Sequence, residues 1–114
     1  MTKLKKSPFA PPDLASLLPI DGFKMATAET GIKYKNRTDL WVVYGCPGTQ
    51  IAGVFTKNLC PGYPVVWSKE ALTLKNEGPS LLLVNSGVAN VFGGQKGKDA
   101  IAKIAESCER VFDV

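Results

Sequence analysis

The sequence contains no histidine. That absence removes a Ser-His-Asp or Cys-His relay from this chain and takes away the commonest zinc ligand. Cysteine is nearly as scarce: Cys46, Cys60 and Cys108 are odd in number, and no pair is spaced C-x-x-C. They make neither a disulfide framework nor a thiolate metal cluster, and they read as buried or idle thiols in a reducing compartment. We therefore expect no metal and no cofactor. No apolar run approaches the ~18 residues a membrane span needs. Lys3, Lys5 and Lys6 open the chain, but no hydrophobic stretch follows them as in a secretory signal. A cytoplasmic location without a membrane partner is the expectation. Arginine-rich runs and alternating lysine and aromatic residues are missing as well. The net charge of +4, from 14 basic and 10 acidic residues, then describes a solvated surface and no nucleic-acid partner.

What is present is ordinary globular material, 45% hydrophobic and 21% charged over 114 residues. One domain is the expectation, burying about two-thirds of the surface its unfolded chain would expose. Residues 1–21 read as a proline-rich tail, with Pro8, Pro11, Pro12 and Pro19 interrupting any regular element and one short turn over 14–18. Residues 22–114 form the domain.

The spacing predicts a weak strand over 23–29 and a strong one over 40–44, where Leu40-Trp-Val-Val-Tyr44 combines β-branched and aromatic residues. Gly45, Pro47 and Gly48 then mark a turn, and 50–56 reads as the returning strand of a hairpin. Pro64-Val-Val-Trp67 reads as a short strand at best, and Ser68 as the N-cap of a helix over 69–74 that Gly78 ends. Leu81-Leu-Leu-Val84 is too continuous for a one-sided strand and is expected to be covered on both faces. Residues 98–112 are the clearest helix, with Ile101, Ile104, Ala105, Cys108, Val111 and Phe112 on one stripe, Asp99 in the first turn and a Glu106–Arg110 pair outside. Cys108 reads as a small core hydrophobe. The order strand, strand, strand, helix, strand, helix gives a mixed α/β (α+β) fold.

The stretch Leu81–Gly97, LLLVNSGVANVFGGQKG, raises the functional question. A strand, a glycine-rich loop and a helix resemble a phosphate-binding arrangement. The residues do not fit one. Aligning Gly97-Lys98 with a Walker A loop puts Phe92 in place of the first glycine, and Asp99 where the Mg²⁺-binding hydroxyl belongs. Gly87, Gly93, Gly94 and Gly97 never give the dinucleotide spacing either. Asn85, Ser86 and Asn90 are instead short polar groups able to bond nearby backbone, and Gly87, Gly93 and Gly94 permit positive φ. A loop satisfied by its own bonds is the plain reading of Asn85, Ser86, Gly87 and Asn90, and a site-shaping role the functional one.

These residues resemble a known family. LLLVNSGVAN is similar to the N-(S/T)-G-x-A-N segment of the ArgJ family, the ornithine acetyltransferase/glutamate N-acetyltransferases. Gly22-Phe23 with Gly31-Ile32-Lys33, Asp39-Leu40, and Ile51-Ala-Gly-Val-Phe-Thr-Lys-Asn58 with Pro64-Val65 match further family blocks in the same order. The likeness covers about 20–114. It departs after Asn90, where Val91-Phe92-Gly93-Gly94 replaces a small residue followed by Thr-Gly.

The resemblance implies a four-layer α-β-β-α sandwich of α and β chains cut from one precursor, assembled as an α2β2 heterotetramer. Cleavage between an Ala and a Thr frees a threonine whose own amine activates its hydroxyl. That threonine carries acetyl from N-acetylornithine, or from acetyl-CoA as a co-substrate, to glutamate. Met25-Ala26-Thr27 resembles the cleavage junction but sits too early and lacks its approach sequence, so it reads as a chance likeness. The true junction and the oxyanion Thr-Gly pair are expected in the remainder of the precursor. On this reading the 114 residues are an N-terminal portion of the α chain, with no catalytic residue of their own and no activity alone, prone to associate through uncovered apolar surface. The competing reading is a small α/β module whose Asn85–Gly97 loop, helped by Lys96 and Lys98, binds an anion or a protein.

Overall fold

The computed structural model describes residues 7–11, 18–74 and 77–114. Much of the expected proline-rich tail, including Pro12 and most of the turn over 14–18, lies outside these residues. The elements run β1 (Phe23–Ala28), β2 (Leu40–Gly45), α1 (Tyr63–Ala71), β3 (Ser80–Asn85) and α2 (Gly94–Phe112). The fold is a small α+β arrangement, with a three-stranded antiparallel sheet in the order β1-β2-β3.

β2 is central because its β-branched and aromatic residues suit a strand paired on both edges. Its register sets Val43 between Met25 and Leu82, and Trp41 between Thr27 and Val84. This arrangement overturns the expected 40–56 hairpin. The turn itself forms: Thr49 N–H donates to the Cys46 carbonyl at 3.1 Å, and Gly48 takes φ +82°, as the third position of a type II turn requires. With both edges of β2 occupied by β1 and β3, however, residues 51–58 find no strand to join and carry no regular structure.

The short strand expected at 64–67 is also wrong, because these residues lie in α1. Gly62 caps the helix and Pro64 falls in its first turn, where a fixed φ helps and a missing N–H costs nothing. Ser68 is consequently mid-helix and does not start one; its carbonyl accepts from Leu72 N–H at 3.1 Å. α2 begins at Gly94, four residues before the expected start, so Asp99 falls beyond the first turn and accepts from Gln95 Nε2 at 2.7 Å. The helix ends at Asp113, which takes the left-handed conformation (φ 53°) and donates its N–H to the Glu109 carbonyl.

β3 is not covered on both faces. Leu81 and Leu83 are half-buried, whereas Leu82 and Val84 are exposed. Register places Leu82 and Val84 beside Met25, Val43 and Trp41 on one side of the sheet, and Met25, Trp41 and Leu82 are 60%, 42% and 52% exposed. The stripe of α2 is likewise only partly covered: Ile101, Ala105 and Cys108 are half-buried behind buried Gly97, while Ile104, Val111 and Phe112 remain exposed. Among the described residues no large apolar side chain is fully buried.

Candidate functional site

The loop between β3 and α2 is fixed by its own polar side chains. Asn85 Nδ2 donates to the Val88 carbonyl at 3.0 Å, which turns the chain as it leaves the strand. Asn90 Nδ2 donates to the Gly97 carbonyl at 2.8 Å and ties the loop to the first turns of α2. Four residues here take positive φ: Gly87 (102°), Asn90 (46°), Phe92 (54°) and Gly94 (57°). Asparagine tolerates that region through local hydrogen bonding, whereas a phenylalanine there carries strain of about 1–2 kcal/mol. Of the four residues singled out in the sequence, Asn85, Ser86 and Gly87 share the exit of β3, and Asn90 sits beside the helix start.

Close packing explains two glycines. A Cβ on Gly97 would meet Asn90 Oδ1 at 2.7 Å and the Tyr63 ring at 3.2 Å, so this glycine lets α1 and α2 touch. A Cβ on Gly87 would meet Lys33 Cβ at 3.0 Å, because the segment between β1 and β2 lies against the loop there.

That segment holds what sequence reasoning missed. Asp39 is the buried charged residue of the described chain, 4% exposed. Its Oδ1 accepts from Thr30 N–H (2.6 Å) and Thr30 Oγ1 (2.9 Å), and its Oδ2 from Ile32 N–H (3.0 Å). The Thr30 backbone donor is the main cause holding the Asp39 carboxyl below its ordinary value of 3.8; desolvation opposes it, and the Thr30 hydroxyl and the Ile32 and Gly31 amides add to the lowering. Asp39 N–H donates to the Ala28 carbonyl (3.1 Å), and its carbonyl accepts from Ser86 N–H (2.9 Å). Arg37 Nη2 donates to Ser86 Oγ at 3.2 Å. Lys33 and Arg37 each lie over the Tyr34 ring, at 5.4 and 5.2 Å. The sequence signal was an aspartate nine residues after a threonine, a separation no local motif flags.

Chemically the loop is an arrangement of backbone and amide dipoles with one hydroxyl, Ser86 Oγ, which accepts from Arg37. The depression beside it, lined by residues including Asp39, Trp41 and Ser86, measures about 140 Å³, well below a substrate pocket of ~300 Å³ or more. A larger groove of about 440 Å³ runs between residues 55–61 and α1, and no residue of the loop lines it. Thr27, the threonine of the Met25-Ala26-Thr27 likeness, lies within β1 opposite Trp41. Of the expected buried or idle thiols, Cys46 and Cys60 are exposed free cysteines and so not buried ones. Half-buried Cys108 has its thiol pushed above the ordinary 9.0 by burial, with Glu109 adding to the shift, which disfavours the reactive thiolate. No group of three or more potential metal ligands occurs among the described residues, and no described helix is long and apolar enough to cross a membrane.

Sequence comparison adds to this geometry. Residues 24–114 match the ArgJ family. An arginine biosynthesis bifunctional protein ArgJ from Gluconobacter oxydans (strain 621H) is 44% identical over 110 residues, 96% of this chain and 25% of the relative. Its namesake from Bradyrhizobium diazoefficiens is 45% identical over 100 residues, covering 88% of this chain and 24% of the relative. That from Ruegeria pomeroyi is 36% identical over 115 residues, covering 100% and 28%. No solved structure matches the chain. The chain spans about a quarter of the length of these curated relatives. The match runs from the first strand through the last helix and includes the Asn85–Asn90 loop, and on that extent the chain belongs to the ArgJ family.

Proposed function

We propose that these residues are the N-terminal portion of an ornithine acetyltransferase/glutamate N-acetyltransferase of arginine biosynthesis. The whole enzyme moves acetyl from N-acetylornithine, or from acetyl-CoA, to glutamate. Its nucleophile is a threonine that autoproteolysis frees in the remainder of the precursor, and that threonine's amine accepts the hydroxyl proton as attack begins. An oxyanion hole, also supplied by the remainder, holds the negative charge of the tetrahedral intermediate.

The present residues contribute structure to that reaction. The sheet and the two helices are one side of a four-layer α-β-β-α sandwich in an α2β2 cytoplasmic assembly, and Asn85, Ser86, Gly87 and Asn90 shape the wall of the site. No metal or cofactor takes part. The observation carrying this reading is the family match over 24–114, joined to a sheet face whose Met25, Trp41 and Leu82 stand uncovered. A contiguous apolar face of that kind marks a surface made for a protein counterpart.

The test is co-production of residues 1–114 with the C-terminal three-quarters of the Gluconobacter relative. Transfer of acetyl from N-acetylornithine to glutamate is then assayed, with and without acetyl-CoA. The expected result is transfer by the complex and none by either part. Transfer by this chain alone, or a soluble stoichiometric complex without transfer, overturns the proposal.

A further inference from the structure

The segment joining β1 to β2 has no regular structure, yet it is tied down at three places. Asp39 is the common point. Its carboxylate gathers Thr30 and Ile32, its N–H meets Ala28 at the end of β1, and its carbonyl receives Ser86 at the exit of β3. Every carboxylate donor comes from this segment, so Oδ1 and Oδ2 are committed to holding backbone. That leaves Asp39 poorly placed to act as an acid or base on a ligand.

Holding Thr30 and Ile32 folds residues 30–37 into a strap. The strap reaches the loop twice more: Lys33 lies where a side chain on Gly87 would have to go, and Arg37 bonds Ser86 Oγ. Tyr34, with Lys33 and Arg37 on its ring, stiffens the strap between those contacts.

We propose that Asp39 is a positioning residue for the Asn85–Asn90 loop, acting through the 30–37 strap. Its carboxylate fixes the strap, and the strap together with the Asp39 carbonyl fixes Ser86 and Gly87. The consequence for acetyl transfer rests on the site-shaping role proposed above. The mechanical coupling does not depend on it.

The coupling is read by hydrogen–deuterium exchange on the full chain, in peptides covering residues 28–34 and 84–89. Asp39→Asn keeps the shape but replaces one accepting oxygen with a donor. It should speed exchange roughly tenfold or more at Thr30, Ile32 and also Ser86, although the Ser86 partner is a backbone carbonyl the substitution leaves in place. Thr30→Val, which deletes only the hydroxyl donor, should speed Ser86 by a smaller factor, and Thr30→Ser should restore it. In the co-produced active complex, Asp39→Asn should lower kcat about tenfold while KM moves by less than about twofold.

Acceleration confined to 28–34 in both Asp39→Asn and Thr30→Val, with 84–89 unchanged, overturns the proposal. If Asp39→Asn unfolds the sheet, the Thr30→Val and Thr30→Ser pair decides by the same criterion. Absence of transfer in the unsubstituted complex counts against the proposed function, while the exchange result still decides the coupling.

Discussion

Asp39 gives the fold a pH dependence of its own. Its carboxyl sits below the ordinary 3.8 in the folded chain, chiefly because the Thr30 amide donates to the ionised form. A group whose folded value is depressed adds stability above its unfolded value, and that stability disappears as pH falls through the folded value. The contribution is therefore complete above the ordinary carboxylate range and is lost as the pH falls below 3.8 through the depressed folded value. We expect the denaturation midpoint of the chain to fall over that window more steeply than that of Asp39→Asn. The difference between the two curves, measured in urea, isolates this carboxyl from the other acids. Parallel curves would mean the carboxylate bonds add nothing to the folded state. None of this could be seen in the sequence, where Asp39 appeared only as part of the Asp39-Leu40 block. Its partner Thr30 is brought back to it by a strap whose path depends on Gly87 leaving room for Lys33.

At the level of elements, Gly97 is the clearest test of how α1 and α2 meet. Replacing an exposed helical glycine by alanine usually stabilises by about 0.5–1 kcal/mol. Here the new Cβ would lie 2.7 Å from Asn90 Oδ1 and 3.2 Å from the Tyr63 ring. Asn90 cannot swing aside without releasing the Gly97 carbonyl. Gly97→Ala should therefore destabilise the chain by about 1–2 kcal/mol in chemical denaturation, and a stabilised variant would contradict the packing described.

Elements with a strong local signature were legible in advance. β2 and β3 declare themselves by β-branched and apolar runs, and α2 by the 101–105–108 stripe. Elements decided by competition were not. Residues 50–56 look like a strand but lose the edge of β2 to β3, and Pro64-Val-Val-Trp67 looks β-like until Pro64 falls in the first turn of a helix. In the glycine loop Asn85 and Asn90 bond backbone as expected, whereas Ser86 Oγ accepts from the Arg37 side chain. The strap that braces it spans too much sequence for any short-range pattern to reveal.

The molecule as a whole shows far more surface than its mass warrants. Its accessible area is 10005 Å², where a compact monomer of 12.2 kDa exposes about 6,000 Å². The radius of gyration is 16.3 Å against about 13 Å for a compact domain of this length. The expectation of a core burying two-thirds of the chain's surface thus fails: only about two-fifths is removed from water. The excess includes the sheet face around Met25, Trp41 and Leu82 and the outer stripe of α2 at Ile104, Val111 and Phe112. Hydrophobic residues are ample at 45%, so the shortfall lies in what covers them. One sheet with two helices leaves a face of the sheet without a layer over it.

Multi-angle light scattering on purified residues 1–114, across a dilution series, addresses this most directly. The expected result is species heavier than the 12.2 kDa chain, with an average mass that rises with concentration as bare apolar faces find one another. A monodisperse 12.2 kDa particle at every concentration, with the dimensions of a compact domain, would contradict it.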